Sequence, residues 1–175
     1  MQAPNIARID VEPVWIGTIP VHPVRLSDTL AFIDRVATSN VGEKAVIHYA
    51  NAHAVNLAGR NGSFRDAMIG ASLVFCDGKS LQWAARVLGG QLPERFTPPD
   101  WIDDLCAQAA ARRHRLFFLG GADGVAEAAA DQLRSRHAGL EVSTAHGYFD
   151  RTPAAVSEVI RTINENRTDI LLVGL

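Results

Sequence analysis

The sequence lacks several features that would assign it to a specialised class of protein. Only two of its 175 residues are cysteine, Cys76 and Cys106, and they do not form a CxxC pair. This spacing argues against a zinc site and favours a reducing compartment. No run reaches the roughly 18 apolar residues of a membrane-spanning helix. The opening stretch also lacks the apolar segment of a signal peptide, so neither a span nor a leader is predicted.

Charge and catalytic motifs are equally uninformative on their own. The net charge is −2, so the chain has no overall positive field for nucleic acid. Ser80 lies outside any GxSxG elbow, and Cys106 falls within a helical pattern, which gives nucleophilic catalysis no support. His53 and His146 are single histidines without a partner at metal-ligand spacing. We therefore predict no metal site and no cofactor.

The most informative stretch is 115–150, where a strand, a glycine turn, a helix and a second strand follow one another. The apolar run 116–119 is typical of a buried parallel strand, and Gly120 and Gly121 end it. A helix opening at Gly124 presents unpaired N–H groups and partial positive charge, which suit a phosphate. Ordinary turn chemistry explains the same glycines, and GGxxG lacks the full dinucleotide fingerprint. Both interpretations stay open.

Similar patterns along the chain predict an α/β fold: an open, mostly parallel, Rossmann-like sheet with helices on both faces. We predict one domain over 1–175, with an N-terminal β segment and first helix in 1–43 and a nucleotide-binding core in 44–175. The main predicted strands are 44–49, 73–76, 116–119 and 169–175. In the helix 125–136, we expect Val125, Ala128, Ala129 and Leu133 to face inward.

The turns after parallel strands open at one edge of a sheet, where ligands bind in such folds. Asp77 follows a buried strand, and burial there would raise its pKa and suit it to general-base catalysis. Its alternative role is to cap the next helix. Asn51 is either a helix cap or a partner for sugar hydroxyls.

Three further residues have a functional and an ordinary interpretation. Arg95, in a proline-rich loop, could clamp a diphosphate through its bidentate fork, or it could be an unremarkable exposed arginine. Tyr148 could stack on a base or belong to the core. Asp100 could cap a helix beginning at Trp101.

Several ordered sequence blocks together resemble the WecG/TagA/CpsF family, glycosyltransferase family 26 of bacterial cell-surface polysaccharide synthesis. The resemblance covers 46–175, and its blocks are NAHAVNLA, LVFCDG, LPERFTPPD, LFFLGGADGVAEAAADQL, HGYFD and DILLVGL. It implies a metal-independent, inverting transfer of a sugar from a UDP-sugar to an undecaprenyl-diphosphate-linked saccharide. The implied location is the cytoplasmic face of the plasma membrane, where the enzyme is peripheral.

The resemblance also assigns roles to matched positions. Asp77 corresponds to the family's proposed catalytic base. The implied substrate-binding residues are Tyr49, Asn51, Arg95 and Asp100, and the implied nucleotide-binding residues are Gly120, Gly121 and Tyr148.

The chain departs from the family pattern in ways that affect these expectations. Tyr49 and His53 stand where relatives often have threonine and glutamate, and proline replaces glycine in the loop after Arg95. The family usually continues beyond this chain into a G-x-P-x-Q-E block and a basic appendage that contacts membrane. We therefore expect a truncated chain, and the alternative to an active enzyme is a catalytically inactive nucleotide-binding or assembly module, which could self-associate. A dinucleotide-dependent oxidoreductase is a third, less supported hypothesis.

Overall fold

The computed structural model describes residues 5–39 and 42–174, which contain both helices and strands. The elements, in chain order, are β1 (Val14–Ile16), β2 (Ile19–Val21), α1 (Leu26–Ala37), β3 (Ile47–Ala50), α2 (Ala52–Ala58), α3 (Gly62–Gly70), β4 (Leu73–Cys76), α4 (Lys79–Val87), α5 (Pro98–Arg112), β5 (Arg115–Gly120), α6 (Val125–Arg136), β6 (Glu141–Ala145), α7 (Pro153–Glu165) and β7 (Ile170–Gly174). The predicted last strand extends to Leu175, which lies outside the described residues.

The chain groups into two compact units, Met1–Trp101 and Ile102–Leu175. In the first unit, β1 and β2 form an antiparallel hairpin within the predicted N-terminal β segment. β3 and β4 form a parallel pair whose last register partners are Ala50 and Cys76. All four residues of β4 are buried, because an apolar LVFC run can be covered on both faces.

In the second unit, three parallel strands pair in the order β6-β5-β7. The buried core between this sheet and its helices includes Cys106, Leu116 and Leu133. At the amino end of β5, the Arg115 guanidinium donates to the Asp169 carboxylate at 2.8 and 3.0 Å, and the Arg115 backbone N–H donates to the same carboxylate at 2.8 Å. This forked ion pair fastens β5 to the start of β7.

The α/β class with parallel strands and flanking helices is confirmed, and the described strands form three small sheets. β4 has the predicted bounds, as does α6. The expected inward face of α6 is partly wrong. Val125 is 55% exposed, and Ala128 and Ala129 are exposed too, whereas Ala130 and Leu133 are buried. Alanine is small enough to tolerate either environment, so its spacing does not identify the buried side.

One membrane-related observation follows from the helices themselves. Among residues 5–39 and 42–174, no helix combines the length and apolar character needed to cross a bilayer.

Candidate functional site

The turns after β3 and β4 lie side by side at one edge of the first unit. Parallel pairing brings both carboxyl ends together, and the Asp77 N–H donates to the Ala50 carbonyl oxygen at 2.8 Å. A Cβ atom placed on Gly78 would lie 3.6 Å from the Asn51 Cβ. The structure therefore makes Asn51, Asp77 and Gly78 close neighbours.

The helix-cap role for Asp77 is not what the structure shows. The N-cap residue of α4 is Gly78, and no side chain caps that helix. Within residues 5–39 and 42–174, the Asp77 carboxylate accepts no hydrogen bond, although the residue is half-buried. An acidic side chain without a structural partner at a strand end is available to a ligand.

The surroundings of Asp77 raise the pKa of its carboxyl group. Burial raises the pKa of Asp77, the charge of Arg95 lowers it, and the charge of Asp100 raises it again. The net direction is upward, because desolvation of the charged form is the largest effect. A carboxyl group perturbed in this direction holds a proton more readily than an ordinary surface aspartate.

Aromatic packing of the neighbouring Phe96 holds the loop that contains Arg95 at this edge of the unit. The Phe96 N–H donates to the Cys76 carbonyl oxygen at 3.2 Å, just before Asp77. The Phe96 ring stacks on Phe75 of β4, with centroids 4.5 Å apart and planes 15° from parallel. The loop containing Arg95 is thus fixed against the end of β4. Sequence analysis did not single out Phe96, and only the aromatic at the centre of the LVFC strand hinted at such a contact.

Asp100 is held in place by Thr97 and lies beside Arg95. Its carboxylate accepts hydrogen bonds from the Thr97 N–H at 2.9 Å and the Thr97 hydroxyl at 2.8 Å. It also lies 3.9 Å from the Arg95 guanidinium, and the Thr97 hydrogen bonds are the main reason that the pKa of Asp100 is lowered. The expected cap before Trp101 is wrong, because α5 begins at Pro98 and Asp100 lies in its first turn.

Asn51 and Tyr49 lie on the β3 side of the same edge. The Asn51 side-chain oxygen accepts from the Ala54 N–H at 3.1 Å, so Asn51 is the N-cap of α2. Its side-chain amide group has no partner among residues 5–39 and 42–174 and is still able to donate. Tyr49 is 49% exposed, and its ring centroid is 6.2 Å from that of Phe75. The capping role of Asn51 is confirmed, and a second role toward sugar hydroxyls stays a prediction.

In the second unit, the glycine turn after β5 adjoins the loop after β6 and the last residue of β7. Gly120 has φ 158°, and a Cβ atom there would lie 2.3 Å from the Gly174 carbonyl oxygen. Gly121 has φ 68°, and its N–H donates to the same oxygen at 3.3 Å. Close packing against β7 is therefore enough by itself to require glycine at 120, whether or not a nucleotide binds there. Contact of either glycine with a nucleotide stays a prediction.

Tyr148 lies near this turn, in the loop after β6. The Gly147 N–H donates to the Gly121 carbonyl oxygen at 2.8 Å, which ties the Tyr148 loop to the glycine turn. Tyr148 is 80% exposed, so the alternative that it belongs to the core is wrong. An exposed aromatic ring can stack on a base.

The other candidate groups are two cysteines and two single histidines. Burial raises the pKa of Cys106 to about 11 and raises that of Cys76 as well, so both buried thiols are protonated at neutral pH. His53 and His146 are exposed and lie in different units. Over the described parts of the chain, no three His, Cys, Asp or Glu side chains cluster as metal ligands would.

Comparison with known proteins places the chain in a family. The family model described as "Glycosyl transferase WecG/TagA/CpsF family" matches residues 14–175. The chain belongs to this family. Curated relatives from Staphylococcus aureus strains NCTC 8325 / PS 47, COL and MRSA252 are each named N-acetylglucosaminyldiphosphoundecaprenol N-acetyl-beta-D-mannosaminyltransferase. They are 26% identical over 171 residues, which cover 98% of this chain. The chain spans 64% of the length of these WecG/TagA/CpsF relatives.

Proposed function

We propose that this chain transfers a sugar from a UDP-sugar to an undecaprenyl-diphosphate-linked saccharide, with inversion, during synthesis of a bacterial cell-surface polysaccharide. Membership of the family supports glycosyl transfer. The relatives' name specifies an acceptor linked to diphosphoundecaprenol and a transferred N-acetylmannosaminyl group. The observation that carries the proposal is the Asp77 carboxyl group, which has a raised pKa, no hydrogen-bond partner in the described chain, and a cation nearby.

In this mechanism Asp77 is the general base. It takes the proton of an acceptor hydroxyl while that oxygen bonds to the anomeric carbon of the donor sugar. The bond from that carbon to the UDP oxygen breaks on the opposite side, and UDP leaves with the bonding electrons. A single base suffices for such an inverting displacement. Because its pKa is raised, Asp77 is a stronger base than an exposed aspartate.

Other residues of the first unit would bind substrate. The Arg95 guanidinium can stabilise the charge that develops on the departing diphosphate. Asp100, fastened by Thr97, restricts the position of that guanidinium. The free amide donor of Asn51 and the exposed Tyr49 ring are available to sugar hydroxyls and the sugar face.

For the uridine nucleotide we propose Gly120, Gly121 and Tyr148 of the second unit. The glycines precede the N-terminus of α6, and the N-cap Gly124 leaves that end without a side-chain cap. The exposed Tyr148 ring offers a stacking surface for uracil. Because the proposed acceptor is anchored in lipid, we further propose a peripheral location at the cytoplasmic face of the plasma membrane.

Calorimetry and a transfer assay test the proposal together. The titrants are UDP, UDP-glucose, UDP-ManNAc, UDP-glucuronate and, as the control for a dinucleotide enzyme, NAD. We expect binding of uridine nucleotides and transfer to a polyprenyl-diphosphate-linked N-acetylglucosamine. Binding of NAD without any uridine nucleotide refutes the proposal. Binding of UDP without transfer from any donor favours the alternative, a non-catalytic nucleotide-binding module.

A further inference from the structure

Helix α4 exposes an unusual amount of apolar surface. Trp83 is 66% exposed, Val87 is 87% exposed, and Leu88, the residue just after the helix, is 60% exposed. The opposite side of the helix, with Leu81 and Ala85, is buried in the core of the first unit. Large exposed side chains at helical spacing mark a surface that contacts something other than water.

Two cations flank these apolar side chains. Lys79 and Arg86 are exposed and lie on the same side of α4 as Trp83, at spacings of four and three residues. The helix contains no acidic residue, and within residues 5–39 and 42–174 neither cation forms an ion pair. We call the surface formed by Lys79, Trp83, Arg86, Val87 and Leu88 the α4 face.

We propose that the α4 face binds an anionic lipid membrane surface. A helix with lysine and arginine beside tryptophan and aliphatic side chains matches the pattern of helices that lie in the membrane interface. Tryptophan favours the headgroup region, and each basic side chain gains attraction to acidic lipid. Lys79, Trp83, Arg86 and Val87 lie along one side of α4 at spacings of three and four residues, so they can enter the headgroup layer and contact its phosphates together.

A second copy of the chain fits this surface less well. In a two-fold symmetric pair, the same patch appears on both partners. The α4 face would then bring Lys79 and Arg86 toward the same cations of its copy, with no acid on the helix to neutralise them. Acidic phospholipid supplies the opposite charge that this surface lacks.

The location of the helix gives the contact a use. α4 begins two positions after Asp77, so the α4 face starts, at Lys79, beside the proposed base in the chain. A membrane docked there would hold lipid-linked acceptors close to Asp77, an interpretation that rests on the proposed function. Lipid binding itself does not depend on transfer activity and is measured without donor or acceptor.

Vesicle co-sedimentation tests the inference. We expect the chain to bind vesicles of phosphatidylglycerol and phosphatidylcholine, to bind vesicles of phosphatidylcholine much more weakly, and to be released by salt. Trp83→Ala is expected to lower partitioning by about ten-fold, because it removes the largest apolar group. Lys79→Gln and Arg86→Gln are expected to lower it by about five-fold each and to reduce its dependence on salt.

Trp15 provides the matched control, because it is 53% exposed and belongs to the same unit. Trp15→Ala is expected to leave vesicle binding unchanged. In a Trp15→Phe background, acidic vesicles should shift tryptophan emission to shorter wavelength. Trp83 would be responsible, since Trp101 is already buried.

Two outcomes overturn the inference. The first is no binding to acidic vesicles by the parent chain, or binding that Trp83→Ala leaves unchanged while circular dichroism shows a folded protein. The second is a dimer, seen by light scattering, that Trp83→Ala dissociates without any vesicle binding, which would make a second copy the occupant. Neither outcome affects the calorimetric test of nucleotide binding.

Discussion

Replacement of Asp77 by asparagine preserves the size of the side chain and removes its ability to accept a proton. General-base catalysis contributes about 100-fold to 10,000-fold in rate. At about 1.4 kcal/mol for each factor of ten, this range corresponds to roughly 3–5 kcal/mol of the activation barrier. We therefore expect Asp77→Asn to lower turnover by about 100-fold or more, while UDP affinity changes by only a few fold.

The stability of the folded Asp77→Asn protein should not fall along with its turnover. The pKa of Asp77 is raised in the folded chain, so folding disfavours its charged form. This penalty is absent below the ordinary aspartate pKa, grows as the pH rises from there, and is complete above the raised pKa. Asparagine carries no such penalty, so the melting temperature of Asp77→Asn should equal or exceed that of the parent chain. If the Asp77 carboxylate stabilised the fold, the melting temperature of Asp77→Asn would be lower than that of the parent chain.

The assay is transfer of labelled sugar to a polyprenyl-diphosphate-linked acceptor, with differential scanning calorimetry on the same samples. Asp66→Asn is the control, since the Asp66 side chain is 74% exposed and lies 3.8 Å from Arg65 in the same unit. It should leave turnover unchanged. Unaltered turnover in Asp77→Asn removes this residue from the role of base. A lowered melting temperature would mean that the lost activity reflects damaged folding.

Three further changes test other parts of the molecule. Arg95→Gln removes the charge that lowers the pKa of Asp77, so the acidic limb of the pH–rate profile should move to higher pH and UDP affinity should fall by about ten-fold. Gly120→Ala, with a Cβ atom 2.3 Å from the β7 backbone, should destabilise the fold by about 1–3 kcal/mol in urea, whereas Gly70→Ala, with open space, should not. Asp169→Asn should cost about 1–2 kcal/mol at neutral pH. Burial raises the pKa of Asp169, but its hydrogen bonds to Arg115 outweigh burial and lower the pKa overall. The stability difference between Asp169→Asn and the parent chain, measured by urea titration, should therefore shrink as the pH is lowered below the ordinary aspartate pKa.

Local sequence chemistry determined the features that were predictable. The apolar run of β4 and the Asp77-Gly78 dipeptide after it identified both the strand and the half-buried carboxylate at its end. Asn51 was identified as a cap because its short side chain reaches an N–H three residues ahead. At the start of α7, Thr152 caps the helix in the same way, by accepting from the Ala155 N–H, and proline follows it at the first helical position.

Contacts between distant residues determined what the sequence did not reveal. The paired prolines after Thr97 indicated a loop, but proline needs no hydrogen bond at the start of a helix, and α5 begins there. Arg95 reaches the surroundings of Asp77 because Phe96 stacks on Phe75, 21 positions earlier in the chain. No periodicity encodes such a contact.

The electrostatic state of Asp77 follows from its position one residue beyond a fully buried strand. Its N–H completes the pairing with Ala50, so the backbone at 77 is as ordered as the sheet, while the carboxylate has left the apolar core. One position earlier, an ionised side chain would be desolvated at a cost of several kcal/mol. Several positions later, water would restore an ordinary pKa. The proposed base is therefore partly desolvated on an ordered backbone because it lies at this boundary, and the register between β3 and β4 fixes it there.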